Sequence, residues 1–535
     1  MSAFDYIIVG GGSAASVAAM RLVHDFGHRV LILERGPRTT NAVMAMPAGY
    51  MKYLARDTFL EMHQTVPQPQ LGGRAPTVPV AKALGGGSAV NAMVYMRGQR
   101  EDYDEWSDRL GGEGGWSYDE LLPHFTGIES NAIFNDRYHG VDGQLKVSFP
   151  AHICDTTEDF LVAAQALGHR FNPDFNGAEQ AGVGIMQHTY GQWGRHRRRS
   201  DAKKAFLDPL DGDPRLSIIT EATVTRLVIE KGAVQAVEYR HRGETRRVTA
   251  EREVLLAAGS YNSAKLLMLS GIGPADHLRS HDIAVAADLP VGSNLQDHHE
   301  VPVIASTTGR SGYFGQDEGW PMLRNGLQYL LFNSGPVTTT GIEACLFYDP
   351  DGGARPTIQL YCAPIVYLDR DVSSARPTWG VTLTSCLLRP RARGTVRLRS
   401  LDPLDRPLVN SNFFGDPDDL RLTLASLAHA RQVLAAGPLG RKIKEELLPG
   451  AGASDEDLVK FCGQTVKTNY HPVGTAPMGT DSDARAVVDP QLRVRGIAGL
   501  RVIDCSIMPQ IVSGNTNAPA MAIGSKAAEL VAMGA

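Results

Sequence analysis

The chain has 535 residues, which is too long for one simple core and predicts two domains or one nucleotide-binding domain with large insertions. Its hydrophobic content of 43% and charged content of 21% are those of a globular protein, and its net charge of −5 argues against nucleic acid or an anionic membrane as the main partner. No apolar run approaches the roughly 20 residues that an integral membrane segment needs, and the first predicted strand begins too early for a signal peptide, so a cytoplasmic location is expected.

Two local features of the composition give little information about function. The six cysteines show no C-x-x-C pair and no metal-ligand spacing, so they predict reduced thiols and no metal site. One strongly basic run occupies residues 195–199, where a solvated loop or an ion-pairing face is a better interpretation than a binding site.

The chain begins with an apolar strand that turns on glycines into a helix ending near His24. This arrangement brings backbone N–H groups and the positive end of the helix up to a phosphate, because no side chain stands in the way. We therefore expect Gly10, Gly12, Ser13 and Ala14 to contact a dinucleotide.

A second apolar run, Val30–Leu33, ends in Glu34, about 20 residues beyond Gly12. An acid at this place accepts hydrogen bonds from a ribose and favours free hydroxyls over a 2′-phosphate. Ala15 takes the last glycine position of the G-x-G-x-x-G pattern, which is a tolerated variant. A glycine-rich turn without a ligand is the alternative, but the order of strand, turn, helix, strand and acid favours the dinucleotide.

A second glycine-rich stretch, residues 81–91, contains three consecutive glycines. Such a backbone can lie against a flat or charged ligand, and Ser88 and Asn91 offer hydrogen bonds at that surface. Together with Gly86, they predict a second contact with the same cofactor.

The middle of the chain contains two segments with different sequence patterns. Residues 216–254 alternate like antiparallel strands and lead into a parallel strand at residues 254–258. Residues 301–455 are rich in aromatics and prolines, and they include a predicted antiparallel sheet and a helix after Pro417.

The last 70 residues return to the nucleotide-binding style. Residues 500–504 form a predicted strand that ends in Asp504, which would lie beside the cofactor at the carboxyl end of the sheet. The polar turn that follows contains Asn515 and Thr516 and precedes a helix of small residues, so its N–H groups would again point at an electron-rich ligand.

Five motifs in this order resemble those of the glucose–methanol–choline (GMC) family of flavin oxidoreductases. They are the opening fingerprint and residues 81–91, 259–273, 292–298 and 471–475. The resemblance implies FAD and an α/β (α+β) fold with a Rossmann-like FAD-binding domain and a second, substrate domain built on an antiparallel sheet. Residues 172–177 and 391–396 resemble the bacterial branch that holds choline, sorbose and polyethylene glycol dehydrogenases.

The same resemblance implies a domain division. Residues 1–150, 215–300 and 465–535 would form a discontinuous FAD-binding domain, and residues 151–214 and 301–464 the substrate-binding domain. A residue at the place of Val224 touches the adenine through its backbone in the family, although a strand core residue is the alternative there.

The resemblance also implies the reaction, which is oxidation of a primary or secondary alcohol to an aldehyde or ketone. A histidine is basic enough to take the hydroxyl proton near neutral pH, and an asparagine can hold the same oxygen without competing for the proton. The family places such residues at His471 and Asn515. Val90 stands where some members carry a histidine bonded covalently to FAD, so the flavin is expected to be non-covalent.

Several alternatives remain open at this point. Asn469 is polar near a position that influences oxygen access in relatives, so the electron acceptor could be oxygen or a quinone-type compound. A hydroxynitrile-lyase type of enzyme exists on the same fold and needs no net redox step. A non-catalytic flavin protein would lack His471 or Asn515, and both are present. The identity of the small-molecule alcohol is not encoded in any motif.

Overall fold

The computed structural model describes residues 4–38, 41–54, 59–367 and 378–534. Its strands in chain order are β1 Phe4–Val9, β2 Val30–Leu33, β3 Leu60–Gln64, β4 Thr77–Ala81, β5 Glu129–Asn131, β6 Leu145–Val147, β7 Gly182–Ile185, β8 Tyr190–Trp193, β9 His196–Arg199, β10 Leu216–Ile219, β11 Ala222–Glu230, β12 Ala233–His241, β13 Glu244–Val248, β14 Ala250–Leu256, β15 Ile272–Gly273, β16 Ala287–Asp288, β17 His299–Thr307, β18 Ala344–Tyr348, β19 Ile358–Ala363, β20 Gly380–Leu387, β21 Thr395–Arg397, β22 Leu408–Asn410, β23 Ile443–Leu448, β24 Lys467–Thr468 and β25 Leu500–Val502.

The α-helices in chain order are α1 Ser13–His24, α2 Ala42–Ala45, α3 Tyr50–Leu54, α4 Arg100–Arg109, α5 Tyr118–Ile128, α6 Asp155–Ala166, α7 Ser260–Leu269, α8 Ala275–Arg279, α9 Gly319–Phe332, α10 Pro417–Ala435, α11 Gly437–Lys442, α12 Asp455–Thr465 and α13 Asn517–Ala532.

A parallel sheet with the strand order β10-β2-β1-β14-β25 forms the centre of the nucleotide-binding part. Its central strands are apolar on both faces because helices cover both sides, and Ile7 and Ile8 are fully buried. Burying each of these side chains contributes about 1.5–3 kcal/mol. The first strand and helix follow the sequence prediction.

Two terminal helices pack closely beside this sheet. At Gly524 of α13 a Cβ atom would lie 2.1 Å from the carbonyl oxygen of Ala14 in α1, so only glycine permits this approach. Arg21 of α1 also donates to the carbonyl oxygen of Ser525 at 2.8 Å. The chain's two ends are therefore held together next to the glycine turn that follows β1.

A second, antiparallel sheet has the strand order β23-β17-β20-β19-β18-β7, and β24 pairs with β17. Alternate residues of its strands point to opposite faces. Leu346, Leu360 and Leu383 face a core built with α6, α10 and α12, whereas Tyr361 and Cys386 belong to a separate cluster on the other face. That second face is the one that reaches the candidate site.

The two sheets agree with the predicted combination of a Rossmann-like part and an antiparallel part. The exact division at residues 150, 214, 300 and 464 stays a prediction. The antiparallel sheet takes in β17, which begins at His299, and β24, which lies at Lys467–Thr468.

Two sequence-based expectations are wrong. Leu216–Ile219 was expected in the antiparallel insertion, but it pairs in parallel with Val30–Leu33 and forms the edge of the nucleotide-binding sheet. Alternation of apolar residues cannot distinguish an edge strand of a parallel sheet from an antiparallel strand. The basic run forms strand β9 of a hairpin with β8, and Arg199 at its end is buried.

No helix within the described ranges combines the length and the apolar character needed to cross a membrane.

Candidate active site

One continuous cavity of about 1000 Å³ extends from the glycine turn after β1 to His471. Among the residues predicted from the sequence, those that line it are Gly10, Gly12, Ser13, Ala14, Glu34, Gly86, Asn91, Val224, Asp504, Thr516, His471 and Asn515. Ser88 is the exception. The folded chain thus brings residues from both termini and from the middle of the sequence to one cavity.

The two glycine-rich loops touch each other at one end of the cavity. Gly86 has a φ of +56°, and a Cβ atom there would lie 2.7 Å from the Cα of Gly12. At Gly10, where φ is +100°, a Cβ atom would lie 2.4 Å from the carbonyl oxygen of Ala257. A side chain at Gly86 would push the two loops apart, and one at Gly10 would collide with the residue after β14. The glycines thus create a cradle of bare backbone at the start of α1.

Glu34 lines this end of the cavity and also fixes the glycine turn. Its carboxylate accepts hydrogen bonds from the backbone N–H of Gly11 at 2.7 Å and of Gly36 at 2.6 Å. Burial raises the pKa of Glu34, and the two N–H donors oppose this effect. Each carboxylate oxygen has a second lone pair, so its predicted contact with a ribose remains open to it.

Ser88 and Asn91 are held by the protein itself. The Ser88 hydroxyl donates to the carbonyl oxygen of Gly85 at 2.6 Å and accepts from the N–H of Ala202 at 2.9 Å, which turns it away from the cavity. The buried Arg199 donates to Asn91 Oδ1 at 2.6 Å and to the Ser88 carbonyl oxygen at 3.0 Å. The predicted side-chain contact of Ser88 with a cofactor therefore finds no geometric support, because its hydroxyl is used inside the fold.

Asp504 organises the carboxyl end of the parallel sheet. Its Oδ2 accepts from the N–H of Gly259 at 2.8 Å and from the Ser263 hydroxyl at 2.6 Å. Its Oδ1 accepts from the N–H of Ser506 at 2.9 Å. The carboxylate thereby ties the start of α7 to the segment after β25, at the wall of the cavity.

The start of α13 presents a polar group without a partner. Ser13 donates to Asn517 Oδ1 at 2.7 Å, and this bond turns the amide nitrogen of Asn517 the other way. That Nδ2 atom is buried and has no hydrogen-bond partner among the described residues, and Asn517 lines the cavity. A buried donor without an acceptor is costly unless a ligand supplies the acceptor.

His471 lies at the other end of the cavity and is held by a second histidine. The two Nδ1 atoms of His471 and His298 are 3.0 Å apart, and His298 Nε2 lies 2.9 Å from the carbonyl oxygen of Leu388. A carbonyl oxygen can only accept, so His298 carries its proton on Nε2 and accepts at Nδ1. His471 therefore carries its proton on Nδ1 and an unprotonated lone pair on Nε2.

Burial keeps this imidazole uncharged. Burial, with a smaller contribution from His298, lowers the pKa of His471 well below its ordinary value. Burial likewise lowers the pKa of His298 to about 4. At neutral pH both rings are neutral, so His471 Nε2 is available as a proton acceptor.

Asn515 faces that lone pair. Its Nδ2 lies 3.3 Å from His471 Nε2 and 3.2 Å from the hydroxyl of Tyr361. The Tyr361 hydroxyl also accepts from Asn469 Nδ2 at 3.0 Å and donates to Gln359 Oε1 at 2.8 Å. A substrate hydroxyl that displaced the contact between Asn515 and His471 could accept from Asn515 Nδ2 and donate to His471 Nε2.

The backbone before His471 is fixed by Asp297. Its Oδ1 accepts from the backbone N–H of His471 at 3.0 Å and its Oδ2 from the Thr468 hydroxyl at 2.5 Å. Tyr470 between them has a φ of +65°, an uncommon conformation for a residue with a side chain. Burial raises the pKa of Asp297 to about 7. These contacts set the direction of the imidazole.

Several site residues were missed in the sequence, among them His298 and Tyr361. His298 closes the predicted motif at residues 292–298, and that place was the signal that could have identified it. Tyr361 appeared only as one of many aromatic residues in a strand, and such residues are more often core than ligand. Its position opposite Asn515 depends on the register of β19, which no local pattern reveals.

Comparison with known proteins identifies the family. Two family models, both described as GMC oxidoreductase, match residues 4–300 and residues 390–524. The chain belongs to the GMC oxidoreductase family. An alcohol dehydrogenase (acceptor) of Pseudomonas putida is 38% identical over 536 residues, covering 99% of this chain and 95% of that protein. An oxygen-dependent choline dehydrogenase of Sinorhizobium fredii is 36% identical over 529 residues, covering 98% and 95%.

A solved structure of similar fold is pyridoxine 4-oxidase from Mesorbium loti, with a TM-score of 0.88, 30% identity and coverage of 98% of both chains. These GMC relatives confirm the family predicted from the motifs, and their bacterial sources agree with the predicted branch. They are dehydrogenases and an oxidase by name, so the hydroxynitrile-lyase alternative gains no support.

The cavity of this GMC oxidoreductase fits the FAD that the family uses. The bare backbone at Gly12 and Gly86 suits a pyrophosphate at the start of α1. The unpartnered amide of Asn517 supplies a donor for an oxygen or nitrogen atom of the cofactor. The cavity is long enough to reach from these glycines to His471.

Proposed function

We propose that this enzyme oxidises the C–OH group of a neutral alcohol, with His471 as the base and Asn515 as the residue that holds the oxygen. The reaction class is that of the family, and the residue roles are our inference. The single observation that carries them is the side-by-side position of His471 Nε2 and Asn515 Nδ2, which are 3.3 Å apart at the wall of the cavity.

Residues of the chain bind the substrate hydroxyl and accept its proton. The substrate hydroxyl replaces the contact between Asn515 Nδ2 and His471 Nε2. It accepts a hydrogen bond from Asn515 Nδ2 and donates its proton to the lone pair of His471 Nε2. His298 accepts from His471 Nδ1–H throughout and so keeps the ring in the productive tautomer and orientation. When bound, FAD supplies the acceptor for the hydride that leaves the carbon.

The charges in the cavity support a neutral substrate. Glu300 and Lys467 line the cavity and form an ion pair at 2.7 Å. The Lys467 ammonium also lies 4.9 Å from the centre of the Tyr367 ring and 5.5 Å from that of Tyr470. In this part of the cavity, the two aromatic rings and the carboxylate that could attract a quaternary ammonium are thus already occupied by a cation of the protein.

We also propose that the flavin is held without a covalent bond. Val90 lines the cavity at the position where a linking histidine occurs in some relatives, and its side chain cannot form such a bond. Denaturation of the purified protein should release intact FAD into the supernatant, whereas a flavin that precipitates with the protein would disprove this point.

The final electron acceptor is proposed as oxygen or a quinone-type compound. One relative is named oxygen-dependent, and the name of another specifies only an acceptor. We also propose that the enzyme is bacterial and lies in the cytoplasm. All six cysteines are free, as is typical of a reducing compartment. Peroxide formation after oxygen is readmitted to the reduced enzyme separates the two acceptors.

The test is anaerobic reduction of the flavin by a panel of alcohols. We expect neutral primary or secondary alcohols to bleach the flavin and choline to do so much more slowly. In His471→Ala, FAD should remain bound while the rate constant for reduction falls by roughly 10²–10⁴. A rate within a few fold of the parent would remove His471 from the role of base.

A further inference from the structure

Helix α9 turns its apolar side chains outward. Its buried residues are Asn325 and Tyr329, which lie one turn apart and are polar. The outward stripe, which we call the apolar face, consists of Trp320, Leu323, Leu327, Leu331 and Phe332. Trp320 is 70% exposed, Leu331 67% and Phe332 73%. A surface helix of a globular protein normally has the opposite arrangement, so this face is suited to a non-aqueous contact.

A basic hairpin packs against the end of this helix. Tyr329 donates to the carbonyl oxygen of Arg197 at 2.8 Å, and Asn333 Nδ2 donates to that of Arg195 at 2.6 Å. The ring of His196 stacks on Tyr329 with the centroids 5.6 Å apart. The hairpin β8–β9 and the C-terminal end of α9 therefore form one surface.

That surface carries uncompensated positive charge. Arg195, Arg198 and Arg324 are exposed, and within the described part of the chain neither Arg195 nor Arg198 takes part in an ion pair. The acidic residues Asp317 and Glu318 precede the helix at its opposite end. The basic run is thus concentrated beside the exposed leucine and phenylalanine side chains at the C-terminal end of α9, although the whole chain has a net charge of −5.

We propose that the apolar face of α9 and the arginines of the β8–β9 hairpin dock this enzyme on a membrane surface that contains anionic lipids. Apolar side chains enter the boundary between headgroups and acyl chains, while arginines beside them attract lipid phosphates. The 14-residue helix is about 21 Å long at 1.5 Å per residue, which suits a helix lying in that boundary.

A second copy of the chain is a weaker candidate for the same surface. In a two-fold dimer each copy would contribute the same patch, and a pairing that brought the two hairpins together would place the arginines of both copies against each other. An anionic lipid surface instead complements the arginines and the apolar face at the same time.

The position of this surface connects it to the cavity. Met322, Asn325 and Leu330 of α9 line the same cavity as His471. A docked enzyme would therefore hold this wall of the cavity against the lipid, and an alcohol or acceptor dissolved there could enter without crossing water. This last consequence rests on the proposed alcohol oxidation, whereas the docking does not.

The test is flotation of the FAD-loaded, full-length enzyme with vesicles of phosphatidylcholine alone or with 30% phosphatidylglycerol. We expect binding to the anionic vesicles that weakens with added salt. Arg195→Gln with Arg198→Gln should lower the partition coefficient about 25-fold, at roughly fivefold for each arginine. Leu323→Gln, Leu327→Gln and Leu331→Gln together should lower it more than tenfold.

Matched controls use exposed residues elsewhere. Val162→Gln with Val459→Gln changes exposed apolar side chains of α6 and α12, and Arg240→Gln removes an exposed arginine of β12. These controls should float like the parent. FAD content and activity on a water-soluble alcohol should be unchanged in every variant, because none of the substituted residues lines the cavity.

Two results would overturn the proposal. One is failure of the parent to bind anionic vesicles, or equal binding by the parent and both sets of α9 and hairpin variants. The other is a dimer in sedimentation experiments that the triple leucine variant dissociates, since this would assign the apolar face to a second copy. Neither result depends on which alcohol the enzyme oxidises, so failure of docking and failure of the proposed reaction are distinguishable.

Discussion

At the scale of single residues, the chemistry depends on which nitrogen of His471 carries the proton. A chain of two hydrogen bonds, from His298 to Leu388 and from His471 to His298, leaves Nε2 of His471 without a proton. Both histidines are needed to fix this tautomer, because a neutral imidazole carries only one N–H. The sequence indicates the base, but its tautomer follows only from the contacts of the folded chain.

Substitution of His298 tests this chain of hydrogen bonds. In His298→Leu the acceptor for His471 Nδ1–H is lost, and we expect the rate constant for flavin reduction to fall about 10- to 100-fold, as for other partners that orient a histidine. His298→Gln offers an amide oxygen at a similar place and should retain more of the rate. Equal rates in both variants and the parent, with full FAD content, would contradict the positioning role.

The pH dependence of flavin reduction tests the neutral imidazole. Because burial lowers the pKa of His471 in the folded enzyme, its base form persists as the pH falls from 8 to 6.5, and the rate should stay constant in that window. Burial raises the pKa of Asp297 to about 7, so this carboxyl group titrates within that window. An inflection near pH 7 that survives in Asp297→Asn would belong to His471 and contradict the assignment.

At the scale of elements, the glycine loops set how closely two backbones approach. Replacing Gly86 by alanine would put a Cβ atom 2.7 Å from Gly12 Cα and push the two loops apart. We expect at least a tenfold loss of FAD affinity, measured by titration of the apoprotein. Gly243→Ala is the matched control, because Gly243 has a φ of +82° and nothing lies within 4 Å of the added methyl group.

The two variants separate the cost of a left-handed backbone at alanine from the cost of a close contact between the loops. The control should lose about 1–2 kcal/mol of unfolding free energy through its left-handed backbone alone, and its FAD affinity should be unchanged. If both variants bound FAD as the parent does, the close contact between the loops would have no part in holding the cofactor.

The secondary-structure elements also show which parts of the fold could be predicted from the sequence. The first strand, the first helix and the acid after β2 follow local patterns, because glycine turns and apolar runs act over a few residues. Leu216–Ile219 was misplaced because pairing with β2 is a long-range choice. Tyr361 and Arg199 reach the cavity region through the register of β19 and β9, which no local pattern encodes.

At the scale of the whole molecule, the cavity is built from distant parts of the chain. The glycine turn after β1, the start of α13 and residues of the antiparallel sheet all line it. A ligand that fills such a cavity stabilises the folded state, because the unfolded chain cannot bind it. FAD should therefore contribute to global stability as well as to the reaction.

Removal of FAD tests this role. The apoprotein should unfold at a lower temperature than the holoenzyme, and the melting temperature should rise with the logarithm of the FAD concentration. At 100 times the dissociation constant, FAD should add about 2.7 kcal/mol to the free energy of unfolding. FMN, which lacks the adenosine that the cradle and Glu34 are predicted to hold, should stabilise less at equal concentration. A melting temperature that does not change with FAD would mean that the two ends of the chain are held by their own packing alone, through α1, α13 and the contact at Gly524.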